Sequence, residues 1–333
     1  MRVVNRVEKR SVTYQSLAKP ASFCPFWAEY ELIDTGAGRK LERFGAVTIV
    51  RPEPQVKWAP ALGKKVWDAA QGEFVQTDRA WKFSADVPPR WEMRRGELAF
   101  WVEPTPAGHV GVFPDQAAHW DWMSSRIQEA IARRKATPSL SAETAPKILS
   151  LFGYTGLATL ACAAAGAQLT HVDASRKAIQ WAQENQALSG LAELPIRWLV
   201  DDASAFVARE LRRGRRYDGL ILDPPRFGRG PKGELWKVED ALPPLLRGCR
   251  QLLSDAPLFV LLNTYTTVLT RGQTRAEAGQ LESFLREMVK GLPGEITAGE
   301  LVLKDRAGRA ISCSVFARAG MQERKADPSL RSG

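Results

Sequence analysis

Histidine and cysteine are scarce in this chain of 333 residues. The three histidines, His109, His119 and His171, are too dispersed to form a ligand cluster. The four cysteines, Cys24, Cys162, Cys249 and Cys313, include no C-x-x-C pair. A metal site and a disulfide framework are therefore both unexpected, and a reducing cytosol fits. The N-terminus lacks the apolar core of a signal peptide. Its first ten residues are basic in the manner of a transit peptide, yet they include Glu8. One uncharged run, Ile148 to Thr170, is long enough to raise a membrane span. Gly153, Gly156 and Gly166, with Tyr154, Thr155, Thr159 and Gln168, break it up, so no membrane partner is expected. The G-x-G-x-x-G spacing of dinucleotide sites is also missing. No internal repeat is visible.

What is present is basic and ample for a core. The chain is 44% hydrophobic and carries a formal charge of +10, which favours a polyanionic partner, nucleic acid first. Residues 1–20 read as a basic arm, either solvated or gripping phosphates. Residues 21–105 read as a small Trp-rich β domain of short strands. Trp27 to Leu32 and Ala46 to Val50 are expected strands, and Lys65 to Trp67 and Phe74-Val75 are expected to flank a turn at Gln71-Gly72. Six of the eleven tryptophans fall in this part. They suit either a stacking platform for bases or the core of a small β domain. Residues 106–320 read as an α/β domain, and residues 321–333 as a flexible tail. Gly111 to Gln116 forms a turn into a helix through Trp120, Met123, Ile127 and Ile131, and a linker follows over Thr137 to Pro146.

The α/β part is organised around Lys147 to Asp173. A short apolar strand, Ile148 to Phe152, meets the turn Gly153-Tyr154-Thr155-Gly156. A helix with a small-residue face follows, and a second strand ends on Asp173, 20 positions after Gly153. Glycines let backbone approach a ligand, and a carboxylate at that strand's end accepts hydrogen bonds from ribose hydroxyls. Ser175 caps the next helix and Gly190 closes it. Strand three, Ile196 to Val200, ends in Asp201-Asp202-Ala203. Strand four, Gly219 to Leu222, delivers Asp223-Pro224-Pro225-Arg226-Phe227-Gly228. Strand five, Leu258 to Leu262, ends at Asn263-Thr264-Tyr265-Thr266, and two last strands are expected near 300–303 and 311–317. Polar residues or glycines thus stand at the C-terminal ends of five consecutive strands, where open parallel sheets bind ligands.

This combination, from about Phe113 to Ala317, resembles the class I S-adenosylmethionine-dependent methyltransferases. The resemblance implies a seven-stranded, mostly parallel Rossmann-like sheet. It implies that Phe152, Gly153, Tyr154, Thr155 and Gly156 pack against the amino-acid end of the cofactor, S-adenosylmethionine. Asp173, with Ala174, would bind its ribose, and Asp202, with Ala203, its adenine amine; Asp201 competes for that role. Gln116 and Asp223 complete the implied cofactor set. Within the class, GVFPDQ and ILDPPRFGRGPKG look like bacterial 23S ribosomal RNA methyltransferases. The likeness is poor in the N-terminal part, where no PUA module is identifiable.

The turn Asp223-Pro224-Pro225 is the candidate catalytic group. A rigid Pro-Pro turn projects a carboxylate and a backbone carbonyl, both acceptors for a base amine. Adenine-N6 enzymes place an aromatic directly after the second proline; here Arg226 stands there and Phe227 follows. Cytosine-C5 methylation needs a cysteine nucleophile, and none lies near Asp223. Arg226, Phe227, Arg229 and Lys232 are candidate substrate-binding residues, with Phe227 able to stack on a target base. The expected function is methylation of an RNA nucleobase in the cytoplasm, with 23S ribosomal RNA as substrate. Rival readings are a protein or small-molecule methyltransferase, an NAD-dependent oxidoreductase and a non-catalytic RNA-binding protein. Oligomeric state stays open.

Overall fold

A computed structural model describes residues 21–84, 86–136, 145–265 and 273–321. The basic arm, most of the linker, Thr266 and the tail from residue 322 lie outside the described residues. The N-terminal part holds β1 (Ala21–Phe23), β2 (Tyr30–Gly36), β3 (Arg39–Phe44), β4 (Val47–Pro52) and the short helix α1 (Lys64–Asp68). It continues through β5 (Gly72–Val75), β6 (Ala80–Phe83), β7 (Trp91–Arg95) and β8 (Leu98–Val102). A 3-10 turn at Pro114–Gln116 enters α2 (Ala117–Ala136). The α/β part then runs β9 (Lys147–Leu151), α3 (Leu157–Ala164), β10 (Gln168–Asp173), α4 (Arg176–Leu188), β11 (Ile196–Val200) and α5 (Ala203–Arg212). β12 (Gly219–Leu222), β13 (Phe227–Arg229), β14 (Leu235–Lys237) and α6 (Val238–Leu252) follow. The described chain closes with β15 (Phe259–Tyr265), α7 (Gln273–Met288), β16 (Gly294–Lys304) and β17 (Ala310–Met321).

The main sheet has the order β1-β16-β17-β15-β12-β9-β10-β11. It carries the seven expected strands and an eighth, β1, which leaves the N-terminal part to pair with β16 in parallel. β9 to β12 and β15 run parallel to one another, and β17 runs antiparallel between β15 and β16. The chain winds outward from β9 through β10 to β11, then returns to β12 and β15 on the other side. The β9/β12 seam is therefore the switch point, and the crevice beyond its C-terminal strand ends is where such sheets bind ligands. The uncharged run 148–170 is divided among β9, α3 and β10. Among the described residues no helix is long and apolar enough to cross a membrane.

Lys65 to Trp67 differs from expectation: it lies in α1, not in a strand. One large side chain, Trp67, is buried there, and its indole N–H donates to Asp34 at 2.9 Å, a tertiary anchor that outweighs weak local strand propensity. Trp27, Trp67 and Trp91 of this part are buried, whereas Trp58 is exposed on one side. Trp27, Trp67, Trp81 and Trp91 donate their indole N–H to Arg94 O, Asp34, Thr105 O and Phe44 O respectively, and Trp58 donates to Thr35 Oγ1. Arg90 covers the Trp101 ring at 4.2 Å. They serve as core and braces, the use large aromatics with a polar handle suit.

That core is shared. Trp27, Phe44, Met93 and Phe100 pack in one cluster with Trp120, Met123 and Ile127 of α2 and Leu157 and Leu160 of α3. A second cluster fills the opposite face of the sheet, with Leu149, Val172, Phe206, Leu245 and Val315. The β7–β8 hairpin also bonds to α4: Trp101 N–H donates to Asn185 Oδ1 at 2.9 Å, and Asn185 Nδ2 donates to Thr155 O at 2.9 Å. The N-terminal part thereby braces the glycine turn through a single buried amide.

Candidate active site

The turn after β9 is held in an unusual backbone state. Phe152 and Tyr154 have φ of 59° and 51°, and Gly156 has φ of 83°. Left-handed conformations cost a non-glycine residue on the order of 1–2 kcal/mol and persist only where the surroundings fix them. Tyr154 N–H donates to Asp173 Oδ2 at 2.9 Å, Thr155 Oγ1 to Gly111 O at 2.6 Å, and the Phe152 ring sits 4.7 Å from Trp236. Gly153 is required by space: an added Cβ would lie 2.2 Å from His171 Cε1. His171 cannot yield, because Thr159 Oγ1 holds its Nδ1 at 2.9 Å and Trp198 packs on the ring. Gly153→Ala is thus expected to cost about 1–3 kcal/mol of stability by overpacking. It should also weaken ligand binding at the turn, as thermal melting and calorimetry would show; an unchanged melt would refute the contact.

Gln116, Phe152, Gly153, Tyr154, Thr155 and Asp223 line one cavity at the switch point, together with Gly111, His119, Ser150 and Asn263. Asp173 stands beside this cavity. Its two oxygens take Tyr154 N–H and Ser175 N–H at 2.9 and 2.8 Å, and burial raises its pKa. Ala174 follows it, half-buried. Gly156 caps α3 and faces Ala182 and Trp198 away from the cavity. Asp202 ends β11 as the N-cap of α5, accepting Ala205 N–H at 2.8 Å, with Ala203 buried behind it. Asp201 is taken by an ion pair with Arg209. That occupation favours Asp202 as the acid open to a ligand.

Asp223 accepts Asn263 Nδ2 at 2.8 Å, and burial pushes its pKa up to about 6. Pro224 is buried, and its carbonyl lies 3.5 Å from Thr264 Oγ1. The Pro225 carbonyl is already used by Trp236 Nε1 at 2.6 Å. Arg226 contacts Glu239 at 3.3 Å and lies over the Phe227 ring. Phe227, Arg229 and Lys232 are exposed on the β13–β14 hairpin, an element the sequence reading did not contain.

Several groups in or beside the cavity carry no assignment from the sequence. Asp115 is buried, accepts Ser314 Oγ at 3.2 Å, and is pushed up to about 6 by burial, with the Asp223 charge adding to the shift. Ser150 Oγ, both His119 ring nitrogens and Asn263 Oδ1 line the cavity without a hydrogen-bond partner among the described residues. Burial and the Arg318 charge push His119 down to about 3, so its ring is neutral; Asn263 is a neighbour that raises its proton affinity without a bond of ordinary geometry. A polar residue inside an apolar strand, as Ser150 is within KILSL, was the available signal. A wider cleft lies at the opposite, N-terminal strand ends. Its buried acid, Glu210, is committed to Arg197, Arg213 and Tyr217.

No cysteine is poised as a nucleophile. Cys24 donates to Pro114 O at 3.1 Å, and burial and Asp115 push its thiol up to about 12. Burial raises Cys162, Cys249 and Cys313 as well. A thiol held protonated is not a nucleophile. Cys24→Ser is expected to retain methyl transfer within about threefold; loss of turnover in a folded variant would point to the cysteine route.

No family model matches the chain. A crystal structure of the SAM-dependent methyltransferase from Agrobacterium tumefaciens matches with a TM-score of 0.83 and 36% identity, over 94% of this chain and 97% of that one. The chain belongs to the S-adenosylmethionine-dependent methyltransferases. The oxidoreductase reading falls with that match. This methyltransferase is also 32% identical over 170 residues to the ribosomal RNA large subunit methyltransferase K/L of Magnetococcus marinus, covering 50% of this chain and 21% of the relative. It is 30% identical over 126 residues to the ribosomal RNA large subunit methyltransferase K of Neisseria meningitidis, covering 37% of this chain and 36% of the relative. The chain thus matches only about a fifth to a third of the length of these curated relatives.

Proposed function

We propose that this methyltransferase methylates a nucleobase of RNA, with large-subunit ribosomal RNA as the substrate and the cytosol as its place of work. The observation that carries the reading is Asp223. It is a carboxyl steadied by Asn263 and followed by the Pro224 carbonyl, at the mouth of the cavity that holds the glycine turn. The ribosomal names of the partial relatives and the +10 charge support the substrate class.

The donor and acceptor atoms lining the cavity suit the methionine end of S-adenosylmethionine. That end offers an ammonium and a carboxylate to a pocket where Ser150 Oγ, the His119 ring nitrogens and Asn263 Oδ1 lack a partner among the described residues, and Gly153 keeps the backbone free of a side chain there. Phe152 to Thr155, Gln116 and Asp223 would hold that end, with Gly156 shaping the turn from behind, Asp173 and Ala174 the ribose, and Asp202 with Ala203 the adenine amine. The cofactor supplies an electrophilic methyl group on a sulfonium, so the protein's task is to position the acceptor. Asp223 and the Pro224 carbonyl accept hydrogen bonds from the base N–H, which aims the nitrogen lone pair into the cavity. Asp223 then receives the proton that the nitrogen releases. Arg226, Arg229 and Lys232 meet phosphates, and Phe227 offers an aromatic face to a base.

Asp223 must be ionised to accept. Because burial raises both Asp223 and Asp115 to about 6, the acceptor form prevails above that pH and is lost below it. The Asp223 charge adds a smaller upward push to Asp115. kcat/KM is expected to be level above about pH 7 and to fall about tenfold per unit below pH 6. A profile flat to pH 5 would remove Asp223 as the acceptor. The substrate is tested by mass spectrometry of ribosomal RNA from a deletion strain. One base methylation is expected to vanish and to return on complementation; an unchanged profile would overturn the ribosomal reading.

A further inference from the structure

The strand that leaves Asp223-Pro224-Pro225 folds at once into the β13–β14 hairpin. Its register pairs Phe227 with Lys237, Gly228 with Trp236, and Arg229 with Leu235. Side chains alternate across a strand, so the hairpin has two different faces. Gly228 and Trp236 form the inner face. Trp236 is 6% exposed, bonded to Pro225 O and packed on Phe152 of the glycine turn. Phe227, Arg229, Leu235 and Lys237 form the outer face. Phe227 is 59% and Leu235 65% exposed, and both basic side chains are exposed too. Between Arg226 and Lys237 four basic residues stand against one acid, Glu234. That acid is turned onto its own tip, where Glu234 Oε2 accepts Lys232 N–H at 2.9 Å.

We infer that the outer face of this hairpin binds an unpaired RNA segment flanking the target nucleotide, an assignment that rests on the RNA reading above. Two large apolar side chains lie open, ringed by cations and continuous with the catalytic turn. Base faces are apolar and linked by phosphates, so unstacked nucleotides match both features at once. A duplex hides its base faces and would meet the cations alone. The recessed position of Asp223, half-buried in the cavity wall, adds a second reason: a base can reach it only when it is out of a helix, which leaves its neighbours unstacked. The Trp236 anchor fixes the platform against the cofactor turn, so the flanking nucleotide is held in register with the reacting one. Phe227, on the face opposite Trp236, takes the neighbour of the target base rather than the target itself.

The test uses the full chain and a short fluorescent RNA, single-stranded or annealed to its complement, with methylation of ribosomal RNA measured in parallel. The double variant Phe227→Ala/Leu235→Ser changes only exposed side chains, and S-adenosylmethionine calorimetry checks its fold. The wild type is expected to prefer the single strand by at least about tenfold. The variant should lose about ten- to a hundredfold on the single strand and less than about twofold on the duplex. Equal losses on both forms, or an unchanged single-strand affinity, would overturn the platform while leaving RNA methylation standing. A wild type that transfers methyl groups to a protein or small molecule and binds neither RNA form would overturn both readings.

Discussion

Asp223→Ala is expected to lower kcat by about a hundred- to ten-thousandfold, the usual range for removing a positioned acid–base or charge-stabilising group. The carboxyl is the one acidic group at the end of β12 that lines the cavity, and Asn263 fixes its orientation. Without it the base N–H keeps only the Pro224 carbonyl, and the released proton has no acceptor. Cofactor affinity should change by less than about tenfold, because Gln116 and the Phe152–Gly156 turn remain. Asp223→Asn preserves shape and one acceptor oxygen but not the charge, so it should fall between wild type and alanine. Asn263→Ala, which frees the carboxyl to rotate, should do likewise. Single-turnover kinetics beside calorimetry separates these effects; a variant of Asp223 with normal turnover would remove it from the mechanism.

Asp173→Ala has the largest expected effect on cofactor affinity, a loss of at least about a hundredfold. Two contributions combine. Hydrogen bonds from ribose hydroxyls to a carboxylate are each worth about 1.5–3 kcal/mol. The same carboxylate also holds Tyr154 N–H and Ser175 N–H, so its removal releases a turn in which Phe152 and Tyr154 are already strained. The burial-raised pKa of Asp173 shows that the folded protein bears a cost to keep a charge there, as ligand sites do. Asp173→Asn keeps one acceptor and should recover part of the affinity. Binding at wild-type strength in Asp173→Ala would place the cofactor elsewhere.

The βαβ unit from β9 to β10 was legible because its signals are local. An apolar run of strand length, two glycines and a terminal acid lie in sequence order, and each reports a backbone requirement rather than a distant contact. Asp202 and Asp223-Pro224-Pro225 were legible for the same reason, as strand ends. The glycines say less than they appear to in sequence. Gly153 answers to His171, and Gly156 to Ala182 and Trp198, contacts made only in the folded chain. Lys65 to Trp67 reads as a strand in sequence because three residues carry no helical period, and the Trp67–Asp34 contact spans 33 positions. The hairpin β13–β14 was hidden by its glycines, which resemble a loop and instead shape a tight tip. Asp115 lies within GVFPDQ, where the resemblance implicates Gln116, and His119 and Ser150 belong to no motif. His119 and Ser150 meet at the cavity only when α2 packs on β9, and Asp115 is buried beside them against Ser314, while burial of a lone polar residue leaves little trace in composition. The brace from Trp101 through Asn185 to Thr155 is equally nonlocal. It gives the Trp-rich part a role in holding the Phe152–Gly156 turn that its strand pattern could not announce.

The most direct test is transfer of a labelled methyl group from S-adenosylmethionine by the purified full chain to protein-free large-subunit ribosomal RNA lacking the modification. The label is expected in the RNA, to survive protease, to be released by nuclease as one methylated nucleoside with the methyl on the base, and to be absent with Asp223→Ala. Label that remains with protein, or no transfer to RNA while the cofactor binds, would contradict the assignment.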